Sequence, residues 1–530
     1  MSEALVLVTF LAVIVVLAVL AKRLKVPYPI AFVIGGIGLA FARHLPHPRP
    51  DPDLIILLVI PPLLYGAAWT TDWFDLKRNA RPITLYAVGL VILTMAVVAV
   101  VVHYTLPIFT WPLAFLLGAI VSPPDAVAAE AIFERLAIPH RIAAIVTGEC
   151  LINDATALVL YRFALAAAIS VGSFSLARAS VAFVVVAAGG VLVGIVSARL
   201  VELILRYITR RGFSDAMIVS VVFLLAPFAA YLPAEALHVS GVLAAVSAGI
   251  MLSRRSAAFI DSESRVLAAA VWRLLIFVLN AFAFLLIGLE LPSILEALTP
   301  HVRDYLLYGL LVSTTVILLR LVWVFPAAYL PHWLRRGHHD DERPPSWQPL
   351  VVLGWSGMRG IISLAIALAL PYTLGDQLFP ARSLIIFFTV CVIFVTLVFQ
   401  GLTLGPLIEW LGVTETSPRN ERETKLRIRA LEAGIERLHE EEARRTSSLD
   451  REITERILEE YRQRINVLRG RIAEGESDEA RESRTDRALQ KEALAAERRA
   501  ILTMRRAGEI PDDIYRSIEY DLDLATLRLS

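Results

Sequence analysis

The chain has 530 residues, 57% of them hydrophobic, and a mean hydropathy of +0.64, too apolar for a water-soluble protein of this length and typical of a membrane protein. Its 51 basic and 50 acidic residues leave a net charge of +1, a balance that says nothing in itself about partners and gives no ground for a nucleic-acid one. Both cysteines, Cys150 and Cys391, fall inside apolar runs, so no disulfide framework is indicated.

In chain order, the first apolar run, residues 4–21, has Glu3 where a basic leader would begin and is followed by Lys22, Arg23 and Lys25, so it reads as a retained span rather than a signal peptide. A membrane crossing needs roughly 20 mostly apolar residues. Runs near 3–21, 28–45, 52–68, 82–106, 110–133, 141–168, 178–205, 214–232, 238–253, 266–291, 304–330, 348–370 and 383–410 meet or approach that length, which predicts about thirteen spans. Loops after odd-numbered spans carry Lys77, Arg78 and Arg81, Arg135 and Arg141, Arg206, Arg210 and Arg211, Arg254, Arg255 and Arg265, and Arg335, Arg336 and Arg343. Loops after even-numbered spans carry only Arg43, Arg49, Arg178, Arg303 and Arg382. This alternation predicts an outside N-terminus and a cytoplasmic C-terminal tail.

Residues 414–530 differ in kind, being rich in Arg, Glu and Asp. Leu431, Ile435 and Leu438 recur at helical spacing, as do Ile457, Tyr461, Ile465, Leu468 and Ile472, which predicts amphipathic soluble helices with solvated, mixed-charge faces. The division is therefore a membrane domain, 1–413, and a helical tail, 414–530.

The segment GECLINDATALVLYR, 148–162, places Glu149, Asn153 and Asp154 in an apolar span. An ionised side chain at mid-bilayer costs about 2.5–3.5 kcal/mol even on lenient insertion scales, a cost that packing alone would avoid with leucine. Glu149 and Asn153 share one face of the helix, while Cys150 and Asp154 form a second row about 100° away. Two rows imply two partners. In the preceding span, SPPDAV, Pro123 and Pro124 remove backbone donors and predict a helix break just before Asp125. Asp125 there suits either a cap on the second half-helix or an ion ligand beside freed carbonyls. In the twelfth span Gly354, Gly357 and Gly360 loosen the middle, and Arg359 is a buried cation that needs a counter-ion; Glu149 is the expected partner. With spans 1–6 and 8–13 as repeats around a linking seventh, both broken segments are fifth in their unit, the arrangement of an inverted-repeat transporter whose site lies where the breaks cross.

Other polar residues say less. Glu290 reads as interfacial, Arg273 and Arg320 as anchors or members of pairs with unassigned partners, and His338–His339 as too thin for a metal site. No metal-protease, phosphate-loop or dinucleotide motif occurs, so no catalytic residues and no cofactor are predicted.

The stretches PPLLYGAAWTTDW, SPPDAVAA, GECLINDATALV, FLLIGLEL and GMRGIISLAIALALP, in that order, together with RRAGEIPDDIYRSIEYDLDL in the tail, resemble the bacterial Na+/H+ exchangers of the cation:proton antiporter family. The resemblance implies an all-α polytopic protein of the bacterial inner membrane, with inverted repeats and two crossed, discontinuous helices. It also implies a homodimer in lipid whose core domain moves against a dimerisation domain. It implies an exchange site for a monovalent cation and a proton at Asp154, with Asn153 beside it and Asp125 on the unwound fifth span, and a Glu149–Arg359 ion pair. Cys150, Pro124 and Gly357 would line the ion path. Electrogenic relatives carry two adjacent aspartates where this chain has Asn153–Asp154, which implies one proton per cation. Many archaeal and animal relatives have Ser and Thr at the positions of Cys150 and Pro124, and several carry a glutamate where Gly66 stands. Sulfur suits a hard cation less well than oxygen. The expected activity is therefore secondary antiport of Na+ against H+, with K+/H+ exchange as its main variant and a gated cation channel or a membrane-embedded sensor as the other classes.

Overall fold

The computed structural model describes residues 3–24, 26–40, 52–136, 138–169, 176–213, 215–256, 260–299, 301–334, 346–374, 377–413, 418–444 and 448–472, with short stretches between 490 and 525. Contacts divide the chain into two compact units, Met1–Thr414 and Glu415–Ser530. The first begins with α1 (Glu3–Leu24), α2 (Tyr28–Ala40), α3 (Pro52–Thr70), the short α4 (Trp73–Arg78) and α5 (Ala80–Thr105). It continues with α6 (Trp111–Val121), α7 (Ala126–Leu136), α8 (His140–Ile169), α9 (Leu176–Arg210), α10 (Ala216–Ala236), α11 (Gly241–Ser256), α12 (Ser262–Ala297) and α13 (Val302–Leu334). It closes with α14 (Trp347–Trp355), α15 (Ile361–Leu368), a two-residue antiparallel ladder of Thr373–Leu374 with Gln377–Leu378, and α16 (Arg382–Leu411).

Within the described residues, each apolar run predicted as a span falls on one helix or on a pair of half-helices. Among the described residues, seven helices are long and apolar enough to cross a membrane by length and composition: Ala80–Thr105, His140–Ile169, Val181–Arg210, Ala216–Ala236, Glu263–Pro292, Val302–Leu330 and Arg382–Leu411. Tyr28–Ala40, Leu57–Thr70 and Trp111–Val121 are apolar but shorter. Local chemistry sets several ends. Asp72, Asp215 and Asp261 accept hydrogen bonds from the first-turn amides of Phe74, Met217 and Ser264, the usual satisfaction of orphan donors. Gly412 closes α16 at φ 63°, a conformation that suits glycine. Two helices contain a π-helical turn that the hydropathy pattern does not announce, Leu85–Leu90 in α5 and Val395–Gln400 in α16.

The helices form two packing groups. In one, α9, α10 and α11 pack on one another, α11 packs on α3, and α12 packs on α2 and α10. Where α2 and α12 cross, a Cβ on Gly36 would lie 2.3 Å from the Leu285 carbonyl oxygen, and one on Gly288 would lie 2.2 Å from that of Val33. The two backbones touch, the close approach that small residues allow between membrane helices. In the other group, α8 packs chiefly on α5 and α6, and α13 packs on α5, α14 and α16.

The second unit is described by α17 (Pro418–Arg444) and α18 (Ser448–Ile472), which pack together. Ile428, Leu458 and Ile465 are buried, and Arg469 pairs with Glu432 at 3.0 Å. The periodic apolar positions of the sequence thus fall on real helices. Lys25, Arg43, Arg49, Arg335, Arg336, Arg343 and the His338–His339 pair lie outside the described residues, as does most of 505–524.

Candidate functional site: two broken helices and one free carboxylate

The helix carrying SPPDAV breaks where its prolines require. α6 ends at Val121 and α7 begins at Ala126, with Pro123 and Pro124 buried in the gap. The second break lies between Trp355 and Ile361. The two gaps meet: the Asp125 amide donates to the Met358 carbonyl at 2.6 Å. The Asp125 carboxylate accepts from Val127 N–H at 2.9 Å through Oδ1 and from Ile361 N–H at 3.3 Å through Oδ2. One carboxylate therefore caps two half-helices, α7 and α15, where their positive ends converge. The crossing is tight enough to require glycine at 360, because a Cβ there would lie 1.7 Å from Asp125 Oδ2.

Arg359 occupies the complementary place. Its amide donates to Thr396 Oγ1 at 3.0 Å, its Nε donates to the Val121 carbonyl at 3.2 Å, and its Nη1 donates to the Gly357 carbonyl. A cation thus sits at the C-terminal end of α6 while an anion sits at the N-terminal ends of α7 and α15, each matched to the local helix dipole.

The expected pairing of Glu149 with Arg359 is corrected. Glu149, fully buried, is held by Arg320 of α13 in a two-pronged contact, Nη1 to Oε1 and Nη2 to Oε2, the latter at 2.8 Å. Arg320 also donates to the Leu353 carbonyl at 3.3 Å. The fork geometry of a guanidinium matches a carboxylate, so both oxygens of Glu149 are consumed. Sequence spacing could show that a buried Glu needs a buried Arg, but not which of two. Gly357 lies in the second break, against Arg320. A Cβ on it would meet Arg320 Cδ and Nε at 2.2 Å, so its service is to make room for the guanidinium. Arg320, expected as an anchor or a member of a pair, gains Glu149 as its partner, and Thr396 holds a place that no motif marked. The usable signal for Arg320 was the demand of any buried Arg for a counter-ion.

Asp154 stands apart from these satisfied groups. It is buried, 7% exposed, and no described residue donates a hydrogen bond to its carboxylate. The charges that act on it are those of Asp125 and Glu149. Beside it Asn153 is fully buried, and its side-chain oxygen and nitrogen both lack a partner among the described residues. Cys150 lies in an apolar cluster with Tyr86, Val146, Val324 and Met358. Gly66 abuts Ile276 and Trp272 of α12. Glu290 is half-buried in α12, and Arg273 is exposed, donating to a carbonyl of its own helix at 3.4 Å. The arrangement can offer oxygen ligands to a hard cation, or hold a proton, at one unpaired carboxylate beside helix ends that are already charge-compensated.

A model of the transmembrane sodium/hydrogen exchanger family matches residues 7–410. The chain belongs to that family. Its members are transporters rather than enzymes. This exchanger-family chain is 31% identical to the uncharacterized Na(+)/H(+) exchanger YjcE of Escherichia coli, over 94% of this chain and 93% of that one. It is 33% identical to the sodium, potassium, lithium and rubidium/H(+) antiporter of Bacillus pumilus, over 76% of this chain and 61% of that one. Its fold is similar to that of the sodium proton antiporter MjNhaP1 from Methanocaldococcus jannaschii, with a TM-score of 0.57 at 19% identity, covering 78% of this chain and 99% of that one.

Proposed function

We propose that residues 1–413 exchange a monovalent cation, Na+ in the first place, for H+ across the bacterial inner membrane, and that one carboxylate does so, Asp154. The observation that carries this reading is the contrast in partners around Asp154: neighbouring charged side chains are paired or cap helices, whereas Asp154 is buried without a donor among the described residues. A group with no structural obligation is free to exchange its ligand. Proton and cation compete for the same oxygens, so the two fluxes are coupled without further machinery. Asn153 offers an unpartnered amide oxygen to the cation, and Asp125 contributes negative charge while holding the crossed helix ends in register. No resident cofactor is needed, the cation being the cargo.

One titrating carboxylate supports exchange of one proton per Na+, hence electroneutral transport. The charge bias of the loops supports about thirteen crossings, with the N-terminus outside and residues 414–530 in the cytoplasm. Family resemblance supports a homodimer in lipid. K+/H+ exchange is the second reading, favoured by the potassium and rubidium in the name of the Bacillus pumilus relative.

The test uses purified protein in sealed liposomes with a trapped pH dye and an imposed pH gradient. Na+, K+ or Li+ is added outside, with and without a valinomycin–K+ voltage clamp. Cation-dependent dissipation insensitive to the clamp is the expected result. Acceleration by the clamp overturns the stoichiometry, and no proton movement with any cation overturns antiport.

A further inference from the structure

α8 carries Asp154, and beyond it the helix bears one charge before its end, Arg162. Asp154, Leu158 and Arg162 follow one another at four-residue intervals and share a face, which puts Arg162 about 12 Å farther along the helix than Asp154. Arg162 Nη2 donates to Glu235 Oε1 at 2.7 Å, and that oxygen also accepts from the Gly241 amide at 3.1 Å. Glu235 occupies the last turn of α10, where an acid opposes the helix dipole. It is compensated by the first amide of α11 and by Arg162 from across the molecule.

The location gives the contact its meaning. α10 and α11 pack on each other and on α9, with Ser240 between them tied to Val186 by a 3.1 Å backbone bond, while the turn joining them holds His238 at φ 57°. α8 packs chiefly on α5 and α6, and touches α3, α9 and α11 only sparsely. The Arg162–Glu235 pair therefore crosses the seam between the two packing groups, over a buried apolar layer that includes Leu158, Tyr161, Tyr231 and Val242. Carriers of this architecture expose a central site by moving one group of helices against the other. A polar tie on one side of the site must part when that side opens.

Resting on the antiport reading and on the loop-charge orientation above, we propose that Arg162 and Glu235 form the outer latch of the carrier. The pair holds α8 against the α10–α11 turn while Asp154 faces the cytoplasm, and it separates each time Asp154 is presented outside. Arg162 and Glu235 are positioning residues: they set the balance between the two faces and do not bind the ion.

The test reads accessibility rather than transport. In a background of Cys150→Ala and Cys391→Ala, Leu158→Cys places a thiol between Asp154 and the latch, and a membrane-impermeant maleimide is added outside right-side-out vesicles. Arg162→Ala and Glu235→Gln should each raise the labelling rate about 2–5-fold, the size that a half-exposed ion pair supports. The charge-swapped variant Arg162→Glu/Glu235→Arg should return it toward the parent, which also shows that the singles did not act by misfolding. Labelling of both singles at the parental rate overturns the latch, as does a swap that labels as fast as the singles. Exchange by the wild-type chain is measured in parallel. Its absence counts against antiport, whereas the labelling pattern bears on the latch alone.

Discussion

Glu149 and Asp154 are buried carboxylates on one helix, five residues apart. Glu149 is gripped by both prongs of Arg320, and Asp154 by no described donor. The difference is one of chemical obligation. A carboxylate whose oxygens are both engaged by a fixed guanidinium is part of the architecture, because losing either member strands the other in the interior. A carboxylate without partners adds nothing to packing and is retained for what it binds.

The comparison can be broken at either end. The largest effect is expected from Asp154→Asn: exchange in liposomes falls to background while detergent-solubilised yield and melting temperature hold, since no structural bond is lost. Wild-type exchange in this variant would refute the assignment. Next comes Arg320→Ala, which leaves Glu149 as an unpaired buried charge and should cost about 3–5 kcal/mol, seen as lost folded protein in fluorescence-detected gel filtration. The double variant Glu149→Leu/Arg320→Met should recover part of that loss, because removing both partners is cheaper than removing one.

A smaller effect follows from Gly360→Ala, which drives a methyl into Asp125 and should slow exchange roughly 10–100-fold through misplacement of the crossed breaks, with a modest fall in melting temperature. Arg359→Ala loses donors to backbone carbonyls rather than a salt bridge, so it should destabilise by about 1–3 kcal/mol, less than Arg320→Ala; equal losses would restore the pairing with Glu149. Smallest is Gly38→Ala in α2, where a Cβ meets nothing within 4 Å. There both melting temperature and exchange should stay at wild type, which isolates the steric origin of the Gly360 effect.

Much of this was legible in the sequence for physical reasons. Prolines without amides break a helix wherever they stand, so the interruption at Pro123–Pro124 could be read directly, and the glycines around Arg359 marked the second. Apolar runs and helical periodicity located the helices because lipid and helix geometry leave few options. The choice between two buried arginines was not legible, since Arg320 and Arg359 offer the same charge to Glu149. Only the packing of Gly357 against Arg320, and of Arg359 against the end of α6, decides it. The latch was equally hidden, because Arg162 and Glu235 stand 73 residues apart in the chain and belong to no motif. The π turns were invisible because hydropathy averages over a window and does not register one extra residue.

That extra residue has a consequence for how the gene can vary. A π turn holds one residue more than an α-helical turn over the same rise, and in α16 it precedes Leu404 and Ile408, both fully buried, and Thr403, whose hydroxyl accepts from Trp355 Nε1 at 2.9 Å. An in-frame deletion of a single codon within 395–400 would let the segment relax to an α-helix, and the loss would be absorbed inside the turn, leaving the faces after it close to register. Leu404 and Ile408 would stay near their cluster, and Thr403 near Trp355, whereas the same deletion in an uninterrupted α-helix would turn everything after it by about 100°. At that point of the chain, heredity can vary a length that it must conserve elsewhere in the same helix.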